Sequence, residues 1–285
     1  VYDKRGSHQG WLETIRFARR LKAEKFDVAV HLHPTNRAHV ISYFARIPIR
    51  IGYQRKNHYL LTHAIEERKW QGAKHEAEYN FDLLRLIDVK VPSVFKLYMP
   101  LRTVSEGPLR DLLPSENQGR YAVFHPSASS SSKMWSPERF GSLADFVART
   151  HRLLPVIIGE GDGITDARKM EQSMRERRLN LAGKLNLEML GWLLKGARIL
   201  VSNDSGPVHM AAALGTPVIS IFGRNQGGLG AIRWKPISER SSYLQKEVGC
   251  IQCLADRCKL AFKCLNELRV EDVIEEVKKY ESFFA

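Results

Sequence analysis

Short apolar runs alternate with amphipathic segments along this 285-residue chain, and that alternation most constrains its fold. In the first third, apolar residues recur at helical spacing from Trp11 to Leu21, which predicts a helix over 11–25. The apolar run 26–30 that follows is typical of a buried strand. Further on, a helix is predicted around 37–46, a short strand around 50–53 and a helix over 76–87. Strands that alternate with helices indicate a parallel sheet covered by helices.

A stretch rich in proline, glycine and serine, residues 98–119, separates this alternation from a second one. We place a domain boundary there, with a first domain over 1–105 and a second over 106–285. The second domain is predicted to contain strands at 121–125, 156–159, 199–202 and 218–222, and helices at 137–149, 164–177, 187–196, 207–214 and 270–280. Ligands of open α/β sheets lie beyond the carboxyl ends of the strands. The loops after Phe124, Ile158, Val201 and Ile221 are therefore the expected site.

Composition limits the class of protein and its partners. Hydrophobic residues make up 44% of the chain and charged residues 26%, as in a globular protein. No apolar run reaches about 18 residues, so we expect no membrane-spanning helix. The net charge is +13, and the first 100 residues hold 18 basic and 10 acidic residues. Such a surface can attract nucleic acid, an anionic membrane or a phosphorylated substrate, or have no dedicated partner. Because a nucleic-acid-binding motif is lacking, nucleic acid is the least expected of these.

All four cysteines lie near the carboxyl end, at Cys250, Cys253, Cys258 and Cys264. A disulfide framework normally spreads through a small secreted domain, which this chain is not. Four thiolates can bind zinc, but two closely spaced pairs would be the stronger signal. The favoured interpretation is a reduced, partly buried thiol cluster that holds the C-terminal segment, without a metal.

The most informative segment runs from the strand at 199–202 into the next helix. Asp204, Ser205 and Gly206 form the turn, and Pro207 occupies the first helical position. Gly206 lets a ligand approach the backbone closely, and the helix N-terminus offers N–H groups to phosphate. Asp204 can accept hydrogen bonds from sugar hydroxyls, and His209 can face the same loop. Ordinary helix capping by Asp204 or Ser205 is the alternative.

A serine-rich loop follows the strand at 121–125. The hydroxyls of Ser127, Ser129 and Ser130 can bond phosphate oxygens, and Lys133 supplies a mobile positive charge that suits a diphosphate. A flexible serine linker with a surface lysine is the alternative. His125, at the end of the strand, is more typical of a structural histidine than of a catalyst.

A glycine-rich turn, residues 159–163, follows the next strand. Its Asp162 can hold ribose hydroxyls, although a simple turn is at least as well supported.

These segments, in this order, resemble glycosyltransferase family 9, the ADP-heptose:lipopolysaccharide heptosyltransferases. The resemblance rests on His125-Pro126-Ser127 through Lys133-x-Trp135-x-Pro137-x-x-Phe140, on Asp204-Ser205-Gly206-x-x-His209-x-Ala211-Ala212, and on Thr216-Pro217-Val218 leading to Phe222-Gly223. It implies two Rossmann-like domains facing across a cleft (GT-B type), with the acceptor on the first and the nucleotide sugar on the second. It further implies inverting, metal-independent transfer of a heptose or related sugar from an ADP-sugar to a lipopolysaccharide core acceptor, without a cofactor. A cytoplasmic enzyme, peripheral on the inner membrane, is the expected setting.

The resemblance also assigns roles to individual residues. Ser129 and Lys133 would bind the donor diphosphate, and Asp204, Gly206 and His209 would line the sugar and phosphate pocket. Ser127, Ser130 and Ser205 would add hydroxyls to this donor site, and Asp162 would contact the ribose. Lys133, Asp204 and His209 are the expected catalytic residues. Lys133 and the amides of 206–208 would stabilise the leaving diphosphate, by about 3 kcal/mol for each well-aimed donor.

The sequence departs from the family's pattern in two places. The family opens with a strand and a Gly-Asp loop whose aspartate is taken as the catalytic base, and nothing before Asp3 supplies that loop. We therefore expect an incomplete first domain, with the general base upstream of Val1. Ala128 stands where the family often has a hydroxyl residue. A nucleotide-binding module without transferase activity is the alternative function.

Overall fold

The computed structural model describes residues 2–3, 6, 8–33, 35–101, 112–117, 119–250 and 252–284. The chain divides into two compact units, Val1–Val94 and Phe95–Ala285. The boundary predicted near residue 105 falls in the stretch 102–111, which lies outside the described residues.

The first unit contains a parallel sheet of three strands in the order β1-β2-β3. Its elements are α1 (Gly10–Ala23), β1 (Val28–Val30), α2 (Asn36–Phe44), β2 (Ile49–Gln54), β3 (His63–Glu66) and α3 (Glu76–Arg85). The small core is formed by Ile51 and Tyr53 of β2 with Leu83 of α3. Strand β3 was missed by the sequence analysis because its outer residues, His63 and Glu66, are polar and exposed.

The second unit contains a six-stranded parallel sheet in the order β6-β5-β4-β7-β8-β9. Its strands are β4 (Tyr121–His125), β5 (Leu154–Ile157), β6 (Leu179–Asn180), β7 (Ile199–Asn203), β8 (Val218–Phe222) and β9 (Ser241–Gln245). Its helices are α4 (Pro137–His151), α5 (Gly163–Ser173), α6 (Leu187–Gly196), α7 (Gly206–Leu214), α8 (Ala231–Trp234), α9 (Lys263–Asn266) and α10 (Val270–Lys278). The predicted α/β class is confirmed.

Two predicted elements of this unit are displaced. The strand predicted at 156–159 lies at 154–157, because Ile158 and Gly159 already belong to the turn that leads into α5. The helix predicted over 164–177 ends at Ser173, since Met174 has an extended backbone. Strands β6 and β9 were missed because they are polar or short and lie at the two edges of the sheet.

Helices cover both faces of the larger sheet. Side chains of α4, α5 and α10 form one core cluster with alternate residues of the strands, and those of α6 and α7 form the other. Strand β4 lies between β5 and β7. The chain adds β5 and β6 on one side of β4 and then β7, β8 and β9 on the other, so the order of the strands reverses between β4 and β7. In open α/β sheets such a switch point leaves a crevice beyond the carboxyl ends of the strands. Among the described residues, no helix is both long enough and apolar enough to cross a bilayer.

Candidate functional site

A cavity of ≈ 490 Å³ lies at this switch point, within the second unit. It is formed by the loops after β4 and β5 and by the junction of β7 with α7. Its polar wall consists of His125, Ser127, Ser129, Glu160, Asp162 and Ser205 with backbone at Gly159, Gly163 and Gly206. Its apolar wall consists of Ala128, Ile158, Leu185, Leu187, Leu190, Pro207 and Met210. A cavity with one apolar wall and a few convergent polar groups is the usual form of a small-molecule site.

The N-terminus of α7 opens into this cavity without a side-chain cap. Ser205 is the N-cap residue, and its side chain makes no capping hydrogen bond to the first turn. Capping by the Ser205 hydroxyl, one form of the capping alternative, is therefore wrong. A Cβ atom on Gly206 would meet nothing within 4 Å, so a ligand has room to approach the backbone there. The Val208 N–H already donates to the Ser205 carbonyl at 3.2 Å, and Pro207 has no N–H. Among residues 206–208, the Gly206 N–H is therefore the one available to a ligand.

Lys133 and Asp204 form an ion pair beside this helix end. Lys133 Nζ lies 2.5 Å from Asp204 Oδ2, and the side chains are 19% and 8% exposed. Lys133 ends a short 3-10 turn, Ser131–Lys133, and Asp204 follows β7 directly. Because a largely buried carboxylate needs a partner, Asp204, which directly precedes the α7 N-cap residue, keeps the Lys133 ammonium beside it. Neither Lys133 nor Asp204 is among the described residues of the cavity wall.

The loop that carries Lys133 is held against the sheet by Asn203. The side-chain amide of Asn203 donates from Nδ2 to the Pro126 carbonyl at 2.7 Å and accepts from the Trp135 N–H at 3.0 Å. Trp135 is fully buried, and its indole donates to the Leu268 carbonyl at 2.8 Å. Trp135 therefore packs this loop against the segment that contains Leu268. The role of Asn203 was missed, although it stands next to Asp204 in the most informative segment.

The predicted serine contacts divide into two groups. Ser127 and Ser129 both line the cavity. Ser127 is buried and donates to the Gly163 carbonyl at 3.0 Å, which ties the β4 loop to the start of α5. Ser129 is exposed toward the cavity. Ser130 is not part of the cavity wall, because its hydroxyl is bonded to Arg224 Nη2 at 2.6 Å.

Arg224 organises a polar cluster behind the serine loop that the sequence analysis missed. Its guanidinium donates to Ser130 Oγ, to Ser132 Oγ at 2.6 Å and to Asp256 Oδ2 at 2.9 Å. Ser132 also donates to Asp256 Oδ1 at 2.7 Å. The hydrogen bonds from Ser132, Ser130 and Arg224 lower the pKa of Asp256 to about 2. These residues come from three distant parts of the chain, so no local sequence signal connects them.

The two histidines near the site have different positions. His125 lines the cavity, and its Nδ1 lies 3.0 Å from Ser205 Oγ and 3.3 Å from Ser202 Oγ. Burial lowers the pKa of His125 to about 4, so its imidazole is neutral near pH 7. His209 is half-buried in the first turn of α7 and is not among the described residues of the cavity wall.

The turn after β5 brings acidic groups to the opposite side of the cavity. Asp162 precedes α5, is exposed and lines the cavity, and its contact with a ribose stays a prediction. Glu160 is likewise exposed and lines the cavity, and the sequence analysis had not singled it out. Two carboxylates at this position can accept hydrogen bonds from neighbouring hydroxyls.

The four cysteines lie outside this cavity and are all free thiols. Cys250 is exposed and the others are half-buried. Cys264 donates to the Gly223 carbonyl at 3.0 Å, and burial raises the pKa of its thiol. Among the described residues, no three His, Cys, Asp or Glu side chains are grouped in a way that could hold a metal ion.

The fold and the cavity together define a class of protein: a Rossmann-like α/β protein with a small-molecule-sized cavity at the sheet's switch point. The chain belongs to glycosyltransferase family 9 (heptosyltransferase), whose sequence model matches residues 14–263.

Individual relatives support this membership. The chain is 24% identical to the lipopolysaccharide core heptosyltransferase OpsX of Haemophilus influenzae, over 98% of this chain and 81% of that protein. It is 25% identical to lipooligosaccharide heptosyltransferase 2 of Campylobacter jejuni, over 67% of this chain but only 57% of that relative's length. Among solved structures, the glycosyl transferase family 9 protein from Veillonella parvula has a TM-score of 0.83, at 20% identity, over 99% of this chain and 81% of that one. This likeness shows a shared fold.

Proposed function

We propose that this chain transfers a heptose, or a related sugar, from an ADP-sugar to a lipopolysaccharide core acceptor. The transfer inverts the anomeric centre in a single displacement and uses neither a metal nor another cofactor. The family membership supports heptose transfer, and the names of the relatives point to lipopolysaccharide and lipooligosaccharide as acceptors.

One observation carries the proposal: the uncapped N-terminus of α7 opens into the cavity beside the Lys133–Asp204 pair. The helix end offers the Gly206 amide and the positive end of the helix dipole to an anion. Lys133 is paired with Asp204, which directly precedes the N-cap residue Ser205. Ser129, in the cavity wall, adds a hydroxyl from the β4 loop. This set of donors fits a diphosphate.

The rest of the cavity fits the nucleoside part of such a donor. Leu185, Leu190 and Met210 offer an apolar wall on which a nucleobase can lie, and the carboxylates of Glu160 and Asp162 can accept hydrogen bonds from ribose hydroxyls. The sequence alone predicts the second of these contacts for Asp162 only.

The proposed displacement follows from where charge develops. The acceptor oxygen bonds to the anomeric carbon as the bond between the sugar and the phosphate breaks, and a general base takes the proton of the acceptor hydroxyl. Negative charge therefore grows on the leaving diphosphate. Lys133 can turn from Asp204 toward this charge, and the Gly206 amide is already fixed. Preorganised donors of this kind typically lower a barrier by about 3 kcal/mol each, which removes the need for a metal at the leaving group.

The acceptor is proposed to be anionic because the first 100 residues carry most of the excess positive charge. Carboxylates and phosphates of a lipopolysaccharide core would be attracted by such a surface, as would an anionic membrane. We propose peripheral contact with the inner membrane on the same ground.

The first test is calorimetric titration of the chain with ADP, UDP and GDP, together with Lys133→Ala. Loss of one charge-assisted contact to phosphate should weaken ADP binding by about tenfold to a hundredfold. Lys278→Ala is the matched control, because Lys278 also pairs with a carboxylate, Glu275, at 2.7 Å on the distant helix α10. Its ADP affinity should equal that of the wild type.

Activity then separates a transferase from a nucleotide-binding module. ADP-heptose and a lipopolysaccharide core acceptor should yield a product of inverted anomeric configuration, in the presence of EDTA. ADP binding without sugar transfer would favour the nucleotide-binding module. A folded chain that bound none of the three nucleotides would refute the assignment of the donor site.

A further inference from the structure

We infer that His125 contacts the bound nucleotide sugar directly, through a hydrogen bond that its Nε2 accepts from a sugar or ribose hydroxyl. The inference rests on the proposed function, because it assigns a specific contact within the same donor cavity. The sequence pattern alone favoured a structural role for this histidine.

Two neighbouring serine hydroxyls determine the direction of the hydrogen bonds around His125. Ser202 is completely buried, and its hydroxyl donates to the Asn203 carbonyl at 2.7 Å. A serine hydroxyl has a single hydrogen, so Ser202 Oγ can only accept from its other neighbours. Ser205 Oγ lies 2.9 Å from Ser202 Oγ and is placed to be that donor.

The direction of the hydrogen bond between Ser205 and Ser202 determines which nitrogen of the His125 imidazole carries the hydrogen. If Ser205 donates to Ser202, its own oxygen accepts from His125 Nδ1 at 3.0 Å. The hydroxyls of Ser202 and Ser205 then each donate one hydrogen bond and accept one. In the reverse assignment Ser205 donates to His125, and the completely buried Ser202 oxygen loses its donor. The first arrangement makes one more hydrogen bond, and buried polar groups are nearly always paired.

His125 therefore carries its hydrogen on Nδ1 and a lone pair on Nε2. Among the described residues Nε2 has no hydrogen-bond partner, and it is not one of the buried polar atoms that lack one, so solvent reaches it. His125 is part of the cavity wall. Its lowered pKa, which burial causes, keeps the ring neutral and the lone pair available.

The chemistry of this lone pair selects its partner. Phosphate oxygens are themselves acceptors, so they fit the Gly206 amide and Lys133 rather than a neutral His125 Nε2. A hydroxyl of the nucleotide sugar close to the diphosphate can donate to Nε2. His125 thus favours a ligand with a hydroxyl at that point and disfavours one that lacks it.

Two substitutions of His125 distinguish the hydrogen bond made by Nδ1 from the one made by Nε2. In His125→Asn the amide nitrogen can replace Nδ1 and keep the bond to Ser205, but nothing replaces Nε2. In His125→Gln the longer side chain can bring its oxygen to the position of Nε2. Calorimetry with ADP and with ADP-heptose should give about tenfold weaker binding for the asparagine variant, which is the loss of one hydrogen bond, and recovery with glutamine. Melting temperatures show whether each variant is folded.

Comparison of ADP with ADP-heptose shows which hydroxyl of the ligand donates to His125 Nε2. A loss already seen with ADP assigns a ribose hydroxyl, and a loss seen only with ADP-heptose assigns a hydroxyl of the transferred sugar. Equal affinities of wild type and a folded asparagine variant for both probes would overturn the inference and leave the proposed function intact. A folded wild type that binds neither probe would refute the proposed function and this contact with it.

A spectroscopic readout tests the protonation state itself. Nitrogen-15 NMR of histidine-labelled protein at pH 7 should show His125 protonated on Nδ1 alone, before and after ADP-heptose is added. A ring protonated on Nε2, or on both nitrogens in the complex, would mean that His125 donates to phosphate. That outcome would overturn the inference even if the asparagine variant binds weakly.

Discussion

Asn203 is the residue whose replacement should most clearly reveal how the donor loop is held. It is completely buried, and it joins the end of β7 to the Pro126 carbonyl and to the Trp135 N–H. Asn203→Ala removes both hydrogen bonds and leaves two buried backbone groups without partners. Each such group costs about 1–3 kcal/mol, so we expect a loss of about 3 kcal/mol in the free energy of unfolding.

This loss can be measured by calorimetric unfolding. For a unit of about 200 residues, each 1 kcal/mol lowers the melting temperature by roughly 2–4 °C, so the expected fall is roughly 6–12 °C. Asn186→Ala is the matched control, because its side chain caps α6 with one hydrogen bond to the Met189 N–H at 2.8 Å. Loss of an exposed cap costs about 1 kcal/mol, or roughly 2–4 °C.

A second variant tests whether Asn203→Ala destabilises the protein through the lost hydrogen bonds or only through the cavity that the smaller side chain leaves. Asn203→Asp keeps the volume and the bond from the Trp135 N–H, but it cannot donate to the Pro126 carbonyl and it buries a charge next to Asp204. It should therefore also be strongly destabilised. The reasoning is refuted if Asn203→Ala lowers the melting temperature no more than Asn186→Ala, or if the loosened loop leaves ADP affinity unchanged.

Two further predictions follow from the site. Gly206→Ala should leave the melting temperature unchanged but weaken ADP binding about tenfold, because its methyl group meets no protein atom within 4 Å and occupies the space at the α7 N-terminus. Gly215→Ala should lower the melting temperature and leave ADP affinity unchanged, since Gly215 has φ +78° and lies outside the cavity wall. An alanine with this φ costs about 1 kcal/mol. Equal effects of the two variants on ADP affinity would contradict this prediction. Hydrogen bonds lower the pKa of Asp256 to about 2, so its contribution to stability is complete above the ordinary carboxyl pKa near 4 and is lost as the pH falls toward 2. Carboxyl NMR of Asp256 should follow this titration, and a midpoint near 4 in the folded chain would contradict the bonds from Ser132 and Ser130.

Periodic patterns in the sequence were sufficient for most of the fold. The central strands β4, β7 and β8 are mainly apolar, with Ser202, Asn203 and Ser220 as buried polar residues, since strands buried on both faces of a parallel sheet consist mostly of apolar residues. They were therefore placed to within a residue. The edge strands β3, β6 and β9 are polar or short, because an edge strand is partly solvated, and periodicity could not identify them.

The predicted site residues divide in the same way. Asp204, Ser205 and Gly206 follow a buried strand and precede a helix, so their position at the sheet's edge could be read from the chain. Ser130 belongs to a similar local pattern, yet the structure turns its hydroxyl toward Arg224 and away from the cavity. Local sequence gives the end of a strand but does not give the direction in which a loop side chain points.

The sequence by itself determined the class of the fold, the strand ends at which a ligand can bind and the family to which the chain belongs. These depend on short-range patterns of apolar residues, glycine and serine. Only the tertiary structure decided which side chains meet across those strand ends: Lys133 with Asp204, Asn203 with Trp135, and His125 with Ser205. Each of these contacts joins residues at least 68 positions apart, and it is the order of the parallel strands that brings them together.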